Sequence, residues 1–134
     1  MRYLGIDYGD SHVGLAVGDD ESRFALPLET IPNKGFDQLT IDLKRFIASE
    51  GIDALVIGVP TLGATFGGQR LKIEAVIEEF RSCIAIPIHI NDESFSSRQA
   101  QQLMRDKSSA PQTDEHAIAA MLILQSFFDK KANG

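Results

Sequence analysis

Three places in the 134-residue chain set carboxylates where an apolar run gives way to a turn or a helix. Asp7 closes the run Leu4-Gly5-Ile6, and Gly9 two residues later admits close approach of a backbone or a ligand. Asp92-Glu93 follows the apolar run from Ile84 to Ile90, and Asp114 opens a helix-patterned segment after Pro111-Gln-Thr113. Each acid also has an ordinary structural explanation: a turn acceptor, a pair of solvated loop acids, a favoured helix-start residue. Gathered at one edge, they form an all-oxygen ligand set of the kind Mg²⁺ or Mn²⁺ takes. Such a cluster serves phosphoryl chemistry, one ion activating water and a second stabilising the leaving oxygen.

Other residues carry weaker signals. His12 and His116 stand near the acids in sequence, and an imidazole titrating near neutrality can shuttle protons. Pro60 to Gln69 reads as a loop whose glycines 63, 67 and 68 can cradle a phosphate ahead of a helix, without the Gly-Lys-Ser/Thr of a nucleotide-binding loop. Arg70 and Lys72 follow it, placed either for a nucleic-acid backbone or for solvent. Cys83 is expected to be buried ahead of a strand. The aromatic residues are mostly Phe at helical core spacing, which offers no stacking platform for single strands.

The elements that must position these groups follow from periodicity. Tyr3 to Tyr8 and Val13 to Gly18 read as strands of a hairpin around Gly9-Asp-Ser-His12. In the second, Val13, Leu15 and Val17 alternate with Gly14, Ala16 and Gly18, so one face is bare and suited to close packing by another element. Arg23 to Ile31 contains Pro27, which places it at a sheet edge. Phe36, Leu39, Leu43, Phe46 and Ile47 form a helical stripe ended by Gly51. Ala54 to Val59 reads as a strand buried on both faces, and Ile73, Val76, Ile77 and Phe80 mark a second helix. Ile84 to Ile90 reads as a fifth strand, Ser96 to Met104 as a short helix, Asp106 to Thr113 as a loop, and Ala117 to Phe128 as a final helix.

Strands joined by tight turns are antiparallel and strands joined through helices parallel. The expected fold is therefore α/β, a five-stranded mixed sheet of order 3-2-1-4-5 with helices on both faces. Ligands of such sheets gather at the carboxyl ends of the strands where the order reverses, which is where Asp7 falls.

Composition bounds the rest. A chain of this length buries roughly two-thirds of its unfolded surface, so residues 1–134 suffice for a single domain. One cysteine excludes an internal disulfide or a zinc cluster. The longest apolar runs fall short of the ~20 residues a membrane helix needs, and Asp7 interrupts any signal-like start, so a cytoplasmic protein without membrane contact is expected. Nineteen acids against thirteen bases give −6, with −4 of it between Met1 and Pro32. That charge opposes nucleic-acid binding by bulk attraction. Two divalent ions on the acids change it to −2 (−6 + 4) and replace a basic footprint with metal.

Tyr3-Leu-Gly-Ile-Asp-Tyr-Gly-Asp-Ser-His-Val-Gly-Leu-Ala-Val-Gly18, Ile57-Gly-Val-Pro60, Ile90-Asn-Asp-Glu-Ser94 and Thr113-Asp-Glu-His-Ala-Ile-Ala-Ala-Met-Leu-Ile-Leu124 stand in one order along nearly the whole chain. As a set they resemble the YqgF family, the Holliday junction resolvase-like proteins also described as pre-16S rRNA nucleases, of the ribonuclease H-like superfamily. The resemblance matches Asp7, Glu93 and Asp114 to the family's three acidic positions. It implies metal-dependent cleavage of a phosphodiester in structured nucleic acid, with Mg²⁺ or Mn²⁺ bridged by Asp7 and completed by Glu93 and Asp114. It further implies 5′-end maturation of precursor 16S ribosomal RNA on the assembling small subunit, by a monomer or a homodimer. The alternatives are resolution of branched DNA and a non-catalytic binding module in ribosome assembly. Asp7-Tyr-Gly-Asp-Ser11 also resembles the first phosphate motif of sugar kinases and actin-like ATPases, which close two such domains over a nucleotide. Where the family has Asp-Glu-Arg, Ser94 follows Glu93 here; Arg98, one helical turn on, is the nearest substitute. Arg70, Arg98 and Lys107 are the expected substrate contacts.

Overall fold

Strand formation begins where branched and apolar residues alternate with small ones. The computed structural model of the protein describes residues 1–60, 63–93 and 113–133. Strands β1 (Arg2–Tyr8), β2 (His12–Asp19) and β3 (Ala25–Pro32) form an antiparallel meander, followed by α1 (Phe36–Glu50), β4 (Ala54–Pro60), α2 (Gly63–Cys83), β5 (Ile88–Glu93) and α3 (Thr113–Asn133). The sheet order is β3-β2-β1-β4-β5, with β4 parallel to both β1 and β5, as the sequence predicts. Pro27 does sit on an edge strand. Beside it the β2–β3 register shifts between Leu15 and Ala16, so that Leu28 is the extra residue on β3.

The two sheet faces are packed differently, and the strand alternation decides how. Leu4, Ile6, Val13, Leu15, Leu55, Ile57 and Val59 project towards α1 and α2, where they meet Leu39, Leu43, Ile73, Ile77 and Phe80. The opposite face is nearly bare and receives α3: Tyr3, Ala16, Ala54 and Val56 pack on Ala120, Ile123, Leu124 and Phe128. A methyl group on Gly5 would come within 2.9 Å of the Ala120 carbonyl oxygen, so α3 rides directly on the backbone of the sheet. The close-packing face expected of β2 is thus the seat of α3.

Helix α1 ends at Gly51, whose φ of 64° is the left-handed conformation that glycine adopts without strain. The Ile52 N–H then donates to the Ile47 carbonyl, closing the turn that redirects the chain into β4.

Three local expectations are corrected. Residues 63 to 69 belong to α2 and not to a loop. Three glycines cost a helix about 1 kcal/mol each relative to alanine, and the tertiary contacts of Ile73, Ile77 and Phe80 outweigh that. The fifth strand is Ile88–Glu93, later than the expected 84 to 90. Ile84 still donates its N–H to Phe80 at the end of α2, and parallel pairing starts only at Ile88 opposite Leu55. Asp92 and Glu93 therefore lie within the strand. Cys83 is exposed, because the buried stripe runs through positions 73, 77 and 80 of α2 and on to Ile84 just after it, and position 83 lies off that stripe. The expected helix from Ser96 to Met104 lies outside the described residues, as does the loop from Asp106 up to residue 112. Among the described residues no helix is long and apolar enough to cross a membrane.

Candidate active site

Parallel pairing brings the carboxyl ends of β1, β4 and β5 to one edge. Ile6 is in register with Ile57, and Ile57 with Ile90, so the residues after each of them reach the same edge together. Asp7 is the first polar side chain on β1 after that level. It alternates with Gly5 and Tyr3, which places it on the face that carries α3.

The first turn of α3 is brought to Asp7 by an absence of side chain. Gly14 is the cross-strand partner of Asp7. A Cβ on Gly14 would lie only 1.8 Å from the His116 carbonyl oxygen, so the helix backbone occupies the volume any other residue would need. With the helix seated there, His116 Nδ1 lies 3.4 Å from Asp7 Oδ2. The two side chains are partly buried, 32% and 23% exposed. The His12 ring, at the first position of β2, stacks on the His116 ring with centroids 5.5 Å apart and planes inclined by 22°. The Asp7 carboxylate, through its hydrogen bond and then its charge, raises the His116 pKa above the ordinary histidine value, against the opposing effect of partial burial.

The turn that follows Asp7 is held from outside. The Asn33 side-chain amide donates to the Gly9 carbonyl at 2.8 Å, and the Asn33 backbone N–H to the Ser11 carbonyl at 2.9 Å. Lys72 on α2 pairs with Asp10, and that carboxylate raises the lysine pKa. Lys72, considered from sequence as a backbone contact, is thus engaged with the site's own turn.

On β5, Asn91 is buried and in register with Gly58. Its amide donates to the Ile123 carbonyl of α3 at 3.3 Å, and its carbonyl oxygen accepts from Lys130 at 3.1 Å. Lys130 also donates to the Asp92 carbonyl at 2.9 Å. Glu93, in register with Pro60, is the last residue of the strand. Strands β1 and β5 stand two strand spacings apart, about 10 Å.

The sequence-derived site residues therefore fall as follows. Asp7 is at the shared edge, Glu93 ends β5 there, and Asp114 is the second residue of α3. The Glu93 and Asp114 side chains lie outside the described residues, as does the side chain of Arg70, whose backbone is in α2. Arg98 and Lys107 lie outside them altogether. Among the described residues no three His, Cys, Asp or Glu side chains gather as a metal cluster; the described chemistry is the Asp7–His116 pair. Sequence reasoning missed Asn33 and Asn91. A lone amide directly after the apolar run ending at Ile90 was the available signal for Asn91.

The chain is similar to known proteins in sequence and in fold. The sequence model of the family described as "RuvX: Holliday junction resolvase" matches residues 1–130. A protein of Chloroflexus aggregans (strain MD-66 / DSM 9485) bearing the name "Putative pre-16S rRNA nuclease" is 31% identical, over 97% of this chain and 94% of its own. A protein of the same name from Nitratidesulfovibrio vulgaris (strain DP4) is also 31% identical, over 95% and 92%. Among solved structures, the RuvC of T. thermophilus in complex with a Holliday junction substrate superposes with a TM-score of 0.61 at 17% identity, over 98% of this chain and 96% of that one. The Fowlpox virus resolvase with junction DNA superposes with a TM-score of 0.56 at 14% identity, over 98% and 99%. The fold shared with these structures is the ribonuclease H-like sheet.

Proposed function

The chain belongs to the RuvX Holliday junction resolvase family, a family of phosphodiester-cleaving nucleases, and from that premise we propose that it is a divalent-metal-dependent endonuclease maturing the 5′ end of precursor 16S rRNA. The observation that carries the reading is the Asp7 carboxylate. It stands at the strand edge, on the α3 face, partly exposed and with an imidazole nitrogen beside it.

The residues present fit a divalent ion. Asp7 offers a carboxylate, Glu93 brings a second to the end of β5, and the first turn of α3 brings a third donor, a place the sequence assigns to Asp114. A bound Mg²⁺ or Mn²⁺ supplies activation of water and neutralisation of charge on the leaving oxygen. The chain's own part is positional. The Asp7–Gly14 pairing and the seat of α3 on Gly14 fix two of the three donor-bearing elements against each other. Asn91 ties the third, β5, to α3. The Asn33 and Lys72 contacts fix the Gly9–Ser11 turn that follows the carboxylate. The names of the relatives support a precursor-rRNA substrate, and the family description supports branched DNA as the second reading.

The test incubates wild type and Asp7→Asn with a precursor 16S RNA and with a four-way DNA junction, each with Mn²⁺ and with chelator. Cleavage of the RNA at the mature 5′ end by wild type alone, only with metal, is the expected result. Cleavage of the junction alone reassigns the substrate to DNA. Equal cleavage by wild type and Asp7→Asn removes the site assignment, and no cleavage of either favours a non-catalytic role in ribosome assembly.

A further inference from the structure

We propose that His116, in the place the sequence gives to Asp114, is the α3 ligand of the divalent ion held by Asp7. The inference rests on the metal-dependent reading above and specifies its donor set: carboxylates from β1 and β5 and an imidazole nitrogen from α3.

Three observations carry it. His116 Nδ1 is 3.4 Å from Asp7 Oδ2. Neighbouring ligands of an octahedral ion bound at about 2.1 Å are about 3 Å apart, so the pair already stands near the spacing of two ligands on one ion. His116 is held at two points: its carbonyl rests on Gly14, where no side chain fits, and its ring stacks on that of His12 with centroids 5.5 Å apart. A pre-positioned donor loses little freedom on binding. Finally, helix geometry separates the two candidates. Successive residues of an α-helix turn by about 100°, so position 114 lies about 200° around the axis from position 116. The side of α3 that meets Asp7 is the side of position 116.

The donor type has a consequence for metal choice. Mg²⁺ demands oxygen ligands and gives up water reluctantly. A set containing imidazole favours a first-row transition ion, so Mn²⁺ is the expected tighter binder.

The experiment titrates the full chain with Mn²⁺ alone, by calorimetry, in wild type, His116→Ala, His116→Asp, Asp114→Asn and Asp7→Asn. Folding of each is confirmed by its amide NMR spectrum. His116→Ala is expected to weaken Mn²⁺ by roughly tenfold or more, a loss at least as large as that from removing an outer-shell partner. Asp114→Asn is expected to change it by less than about threefold, and His116→Asp to restore binding while narrowing the preference for Mn²⁺ over Mg²⁺. In wild type, Mn²⁺ broadens the His116 ring resonances first. If His116→Ala binds Mn²⁺ like wild type while Asp7→Asn and Asp114→Asn do not, the assignment to His116 is overturned and the metal site stands. If Asp7→Asn binds Mn²⁺ like wild type, or wild type does not bind it, the metal reading itself falls and His116 with it.

Discussion

At the scale of single residues, the centre of the molecule is a carboxylate and an imidazole on two elements 109 positions apart in sequence. The Asp7 carboxylate, by hydrogen bonding and by its charge, favours the protonated imidazole of His116, so the histidine pKa is raised. The sign of the linkage follows. The attraction stabilises the fold fully below the unfolded histidine value of about 6.5 and is lost as pH rises through the higher folded value. Proton NMR of the chelated protein is expected to show His116 titrating above that value, and Asp7→Asn is expected to return it towards the ordinary range. In urea denaturation, the stability gap between wild type and Asp7→Asn should shrink as pH rises from about 5.5 to about 9. A gap independent of pH would mean that the pair carries no charge interaction. Gly14 makes the second prediction at this scale. Its missing Cβ is what lets the His116 carbonyl reach the sheet. Gly14→Ala sets backbone against backbone, which no rotamer relieves, and is expected to cost about 3 kcal/mol or more. Loss of the His116 pKa elevation in whatever fraction folds would show that the helix had lifted from Asp7.

Elements are positioned by what lies between them, and here the polar link is buried. Asn91 joins β5 to α3 through the Ile123 carbonyl and to the helix end through Lys130. Removing the amide leaves these partners without it, at a cost of about 1–3 kcal/mol. Asn91→Leu is therefore expected to lower the urea midpoint clearly. Lys130→Met, at an exposed ammonium, should cost no more than about 1 kcal/mol. Equal losses in the two variants would place the link's strength in the lysine and not in the amide. The boundaries of elements show where periodicity suffices. The stripe of α1 and its Gly51 stop agree with the structure because a helix on a flat sheet needs one apolar face and one left-handed cap. The start of α2 was hidden by its glycines. The start of β5 was hidden because Ile84 belongs to the same apolar run while its N–H still serves the preceding helix.

For the molecule as a whole, the net charge of −6 opposes a nucleic-acid partner, and the proposed metal-dependent function assigns part of the substrate attraction to the ion. Binding of precursor RNA or a four-way junction, followed by fluorescence anisotropy at constant ionic strength, is expected to weaken at least about tenfold when Mn²⁺ is replaced by chelator. Unchanged affinity would assign the attraction to basic side chains instead. The sheet order is legible in the residues alone, because tight turns force antiparallel neighbours, helical crossovers force parallel ones, and Pro27 is accommodated at an edge. The residues also place Asp7 at a strand end and give β2 a bare face. Which residue of α3 meets Asp7 is a matter of packing that no periodicity records. A sequence records that Asp114 and His116 are two positions apart, but the rotation of a helix about its axis is set by packing. Here Gly14 and the small residues beneath α3 set that rotation, turning His116 to the carboxylate.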